Sequence, residues 1–85
     1  MKVVIEKEAV KALARMQPKT AGAISAAIKA VAAQPFGSHS NAKALKGYKD
    51  GYRLRHSDWR IVYRLDTKAD TMFVEWIGPR GGAYK

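Results

Sequence analysis

The chain has 85 residues, 47% of them apolar, with no cysteine and 16 Lys and Arg against 7 Asp and Glu, a formal net charge of +9. That length leaves room for one domain, 1–85, around one modest core, and that composition excludes a disordered chain, a disulfide framework and thiolate metal sites. No stretch approaches the ~18 apolar residues of a membrane span and no signal-peptide apolar region opens the chain, so a soluble, cytoplasmic protein without membrane contact is expected. The excess of positive charge points to a polyanionic partner, either nucleic acid or an acidic protein.

Residues 2–5, Lys-Val-Val-Ile, read as a short strand at the edge of a sheet. From Glu6 the pattern turns helical. Ala9, Val10, Leu13 and Met16 recur on one stripe, away from Lys7, Lys11 and Arg15, and Glu6 and Glu8 sit where negative charge suits the helix dipole. Pro18 breaks this helix and starts the next, about 18–34, with Ala21, Ile24, Ile28 and Val31 on its apolar stripe and Pro35 as its stop. Both helices read as scaffold. Residues 35–51 form a loop rich in Gly, Ser, Asn and Lys, anchored by Leu45 and made basic by Lys43, Lys46 and Lys49. His39 has no His, Cys or paired carboxylate at ligand spacing, so it is expected at the surface; no metal or cofactor is expected.

The most informative stretch is 52–65, Tyr-Arg-Leu-Arg-His-Ser-Asp-Trp-Arg-Ile-Val-Tyr-Arg-Leu. Strict alternation argues for a hairpin turning at Ser57-Asp58, with His56 opposite Trp59, Arg55 opposite Arg60, Leu54 opposite Ile61 and Tyr52 opposite Tyr63. In that register the apolar pairs share one face and Arg53, Arg55, Arg60 and Arg64 share the other. Opposed like charges are destabilising, by up to about 1 kcal/mol per pair. A face of guanidinium forks is well made for gripping phosphate bidentately.

Asp66 to Asp70 read as a polar turn, and 71–78, Thr-Met-Phe-Val-Glu-Trp-Ile-Gly, as a further strand. A four-residue loop aligns Leu65 with Met72, Tyr63 with Val74 and Ile61 with Trp76. That alignment places Phe73, Glu75 and Ile77 on the arginine side, where Glu75 neutralises part of the charge. Residues 79–85 form a tail in which Arg80-Gly81-Gly82 is a single RGG-like fragment. The expected class is α+β: a short N-terminal strand and two helices on one face of a mainly antiparallel sheet that ends in a three-stranded meander.

This order resembles the RelE/ParE superfamily of bacterial and archaeal type II toxins. The likeness is carried by Ala-Lys-Ala-Leu-Lys-Gly at 42–47, Tyr-Arg-Leu-Arg at 52–55, Trp-Arg-Ile-Val-Tyr at 59–63, Ile-Gly-Pro-Arg at 77–80 and Gly-Gly-Ala-Tyr at 81–84. RelE-type members are ribosome-dependent endoribonucleases that cut messenger RNA without a metal, and an acidic antitoxin silences them in a toxin–antitoxin complex. By position, the resemblance implies basic site residues at Arg53 and Arg55, with Arg60, Arg80 and the aromatic Tyr84 completing the set. The implied reaction is attack of a ribose 2′-hydroxyl on the adjacent phosphate, leaving a 2′,3′-cyclic phosphate and a 5′-hydroxyl.

On physical grounds Arg55 and Arg60 are the best placed clamp for charge on the equatorial oxygens, with Arg53, Arg64, Lys43, Lys46 and Lys49 as RNA contacts and Tyr84 stacking on a base or orienting the nucleophile. The chain departs from the RelE pattern in carrying Arg53 and Arg55 where lysine is frequent, and its tail is about two residues shorter. Arginine stays protonated and is a poor general base. An imidazole is a residue type suited to proton transfer, but His56 points to the opposite face. Proton removal falls to Tyr84 or to electrostatic lowering of the hydroxyl's pKa; the sequence does not identify the base. Two other readings stand beside the nuclease: a ParE-like inhibitor of DNA gyrase without nuclease chemistry, and a plain nucleic-acid-binding module.

Overall fold

In the computed structural model, residues 1–37, 39 and 41–79 are described. The elements are β1 (Lys2–Ile5), α1 (Lys7–Ala14), α2 (Pro18–Ala33), β2 (Ala42–Ala44), β3 (Gly51–His56), β4 (Trp59–Asp66) and β5 (Thr71–Pro79). The sheet order is β1-β5-β4-β3-β2, with β1 parallel to β5 and every other pair antiparallel. No helix among the described residues is long and apolar enough to cross a membrane.

Each helix is set by local chemistry. Glu6 is extended and precedes α1, while Pro18 occupies the first turn of α2, where its missing N–H breaks no intrahelical bond. Ile24, Ile28 and Val31 of α2 are buried at their helical spacing, as expected, but Ala21 is only half-buried. Val10 departs from its expected place: it is 50% exposed, and α1 reaches the core through Ala9, Ala12 and Leu13. An eight-residue helix has too few turns for a broad apolar face, so only one narrow stripe is covered.

The hairpin register is the one that alternation dictates. Tyr52 faces Tyr63, Leu54 faces Ile61, Arg55 faces Arg60 and His56 faces Trp59. The Tyr52 and Tyr63 rings stack with centroids 5.4 Å apart and planes 15° from parallel. Leu54, Ile61, Tyr63, Leu65, Met72 and Val74 then form one inner face, closed by Ile24, Ile28 and Val31.

Two features correct the expectation. The loop over 35–51 contains β2, whose Lys43 lies opposite Arg53, so the meander is extended by a short edge strand. Strand β5 also carries a bulge. Val74 pairs with Tyr63 but Trp76 pairs with Val62, so Glu75 has no cross-strand partner. One extra residue reverses the faces beyond it. Ile77 therefore faces Ile61 and is 4% exposed in the core, while Trp76 turns to the arginine side.

Candidate nucleic-acid interface

Strand pairing assembles the outer face row by row. Lys43 on β2, Arg53 on β3, Val62 on β4 and Trp76 on β5 make one row; Arg55, Arg60 and Gly78 make the next. The two rows meet at one end of the sheet, so four cations from three strands share a small area. Val62 is only 1% exposed although it belongs to this outer face. Among the described residues, Arg53, Arg55 and Arg60 have no carboxylate within ion-pair distance. Three like charges held close and unneutralised make a strong anion site.

Arg64 stands apart. Its guanidinium lies 4.5 Å from the centre of the Phe73 ring, with Nε 3.5 Å from Glu75 Oε2 and Nη1 3.9 Å from Asp66 Oδ2. Glu75 is the residue thrown out by the bulge. Its carboxylate also accepts a hydrogen bond from the Tyr48 hydroxyl at 2.5 Å. The Tyr48 ring in turn covers Gly51 so closely that an added Cβ would collide with it. The loop that carries Lys46 and Lys49 is thus clipped to the sheet. Both lysines are exposed.

Removing that clip has a readable consequence. Glu75→Ala leaves Arg64 and Tyr48 without this acceptor in a half-buried place. The expected loss is about 1–3 kcal/mol by urea unfolding, typical of hydrogen bonds to charged groups. Amide exchange should quicken in 45–51 and change little in α2. Glu75→Gln, which keeps an acceptor for Tyr48, should lose less.

The remaining candidates fall elsewhere. Arg80 and Tyr84, like the Arg-Gly-Gly fragment, lie outside the described residues. His56 faces Trp59 on the helix-covered side, and with it lines a cavity beside Lys19 and Thr20 of α2, away from the arginines. His39 places Nε2 2.6 Å from the Gln34 carbonyl oxygen, and no group of three or more potential metal ligands occurs among the described residues. Sequence reasoning missed Tyr48, Glu75 as a clip and Trp76 as an outer-face residue. The glycines were the available signal: Gly51 and Gly78 each lie beneath an aromatic ring.

A family model for the ParE toxin of the type II toxin–antitoxin system parDE matches residues 3–84. The chain belongs to that family. It is therefore a type II toxin of the RelE/ParE superfamily. No curated protein sequence matches it. Among solved structures it resembles the RelE of an archaeal RelE–RelB complex from Pyrococcus horikoshii, at 26% identity and TM-score 0.80, covering 96% of this chain and 97% of that one. It resembles the isolated Escherichia coli RelE toxin at 19% identity and TM-score 0.80, covering 96% and 86%. A YoeB/ParE toxin from Agrobacterium tumefaciens matches at 20% identity and TM-score 0.77, covering 93% and 98%. The last two likenesses speak for the fold alone.

Proposed function

We propose that this toxin is a ribosome-dependent endoribonuclease that cuts messenger RNA without a metal. The observation that carries the reading is the pairing of Arg55 with Arg60 beside Arg53 and Lys43, none of the three arginines being neutralised by a described carboxylate. In the reaction, the 2′-oxygen bonds to the adjacent phosphorus as the P–O5′ bond breaks. The 2′-hydroxyl gives up its proton, and the 5′-oxygen takes one up. Negative charge gathers on the non-bridging oxygens, where guanidinium forks stabilise it. Arg55 and Arg60 are the clamp in this reading, Arg80 joins them, and Tyr84 orients the nucleophile or stacks on a base. Arg53, Lys43, Lys46 and Lys49 take flanking phosphates. Arg64 serves by holding Glu75, and through it the basic loop. An acidic antitoxin is the matching partner for a body of +9 charge.

The family match favours a second reading, inhibition of DNA gyrase by protein contact. Induction of the toxin followed by mapping of transcript ends separates the two. Cuts within reading frames, bearing 5′-hydroxyl ends and dependent on ribosome engagement, are expected. Intact transcripts with trapped gyrase–DNA cleavage complexes would carry the second reading instead.

A further inference from the structure

The bulge that turns Trp76 outward has a second effect. The indole folds over Gly78, where an added Cβ would collide with Cζ2 and Cη2 of the ring. Gly78 pairs with Arg60, so the ring sits at the border of the arginine rows. On the other side β1 pairs only with residues 71–74 of β5. Beyond them helix α1 comes alongside, and between α1 and the last residues of β5 lies an open cavity of about 290 Å³. Trp76, Gly78 and Pro79 line it from the strand, with Glu8 and Lys11 from the helix and Arg15 from its C-cap. Lys11 has a long, exposed pair with Glu8 at 4.0 Å, which holds it weakly. An indole thus stands between Arg60 and two helix cations one turn apart.

We propose that Trp76 is a stacking platform for one unpaired base of single-stranded RNA, with Arg60 on one side and Lys11 and Arg15 on the other taking the flanking phosphates. The proposal rests on the reading of the arginine face as an RNA-cleaving surface and extends it past the clamp to the edge of β5. Duplex RNA keeps its bases stacked inside and offers the ring nothing. An unpaired strand offers a π-face at every base, with phosphates on both sides for the cations. An acidic polypeptide would satisfy the cations but bring no planar base to the indole.

The test is fluorescence-anisotropy binding of a short labelled single-stranded RNA to the intact toxin at fixed low salt. Trp76→Ala is expected to weaken binding by about 5- to 150-fold, the range of one base–aromatic stack. Trp76→Phe should stay close to wild type. Gly78→Ala keeps the indole but drives it from its place, and should lose about as much as Trp76→Ala, which covers the case where the latter does not fold. In a separate salt series, replacing Lys11 and Arg15 by Ala should lower the logarithmic salt slope by about 0.7 for each phosphate no longer engaged. Binding to duplex RNA and to poly-L-glutamate should be unmoved by Trp76→Ala. Wild-type affinity in Trp76→Ala and Gly78→Ala, or an equal loss towards poly-L-glutamate, overturns the platform. Loss in Arg55→Ala and Arg60→Ala with none in Trp76→Ala removes the platform and leaves the arginine-face reading standing. Loss in Trp76→Ala with none in the two arginine variants removes the arginine-face reading and, with it, the platform as an extension of that face, leaving only a base contact at the indole.

Discussion

Arg60→Ala is expected to reduce ribosome-dependent transcript cutting by about two to three orders of magnitude, the usual loss when one charge-stabilising donor is removed from a transition-state site. Its stability should be unchanged or slightly higher. Arg60 faces Arg55 across the hairpin and has no carboxylate partner among the described residues, so its removal relieves repulsion and breaks no ion pair there. Arg60→Lys keeps the charge but loses the planar fork, and should recover only part of the activity. Arg64→Ala is the control with the opposite signature. Its guanidinium is spent on Phe73, Glu75 and Asp66, so the protein should lose stability while cutting falls little at a temperature where it stays folded. The measurements are primer-extension yield of cut transcript and urea midpoints on the same preparations. Wild-type cutting by Arg60→Ala would remove it from the clamp.

Tyr63→Ala should have the largest effect on the fold. The ring is 1% exposed, stacked on Tyr52 and ringed by the core that Ile24, Ile28 and Val74 complete. Deleting a buried aromatic removes about 3–5 kcal/mol, against a total of about 5–15 kcal/mol for a domain. A protein this small should then be substantially unfolded at 37 °C by circular dichroism.

Tyr63→Phe isolates the hydroxyl. Burial first, and Tyr52 second, push the Tyr63 pKa up to about 12. An unfolded tyrosine titrates near 10. Below the lower value both states hold the proton and the hydroxyl's contribution is intact. Between the two values the unfolded chain sheds the proton while the folded one retains it, so stability falls as pH rises. Tyr63→Phe removes that linkage. Its urea midpoint should therefore fall less than that of wild type between pH 10 and pH 12, since the other titrating groups are common to both proteins. Parallel losses would mean that the folded state does not hold the Tyr63 proton more tightly than the unfolded chain does.

Much of this molecule is legible in its letters because its central hairpin is repetitive at period 2. Each of Tyr52, Leu54, Ile61, Tyr63 and Leu65 agrees with its neighbours about which way is inward, so the register and the arginine face follow from strand geometry alone. The family resemblance was legible for the same reason, being densest across the meander. In β5 that agreement ends. Trp76 and Ile77 are both apolar and adjacent, and alternation cannot say which goes in once an extra residue is allowed.

By itself, then, the sequence determined the class of fold, the hairpin pairing and the sign of the outer face, all set by local periodicity and charge. Tertiary structure decided the rest. The bulge brings Ile77 under the helices and sends Trp76 outward. The clip of Glu75 to Tyr48 and Arg64 joins residues 27 and 11 positions apart. The parallel pairing of β1 with β5 unites the two ends of the described chain. The physical reason is common to all three: each is fixed by partners distant in sequence, whose closeness exists only after the sheet has formed.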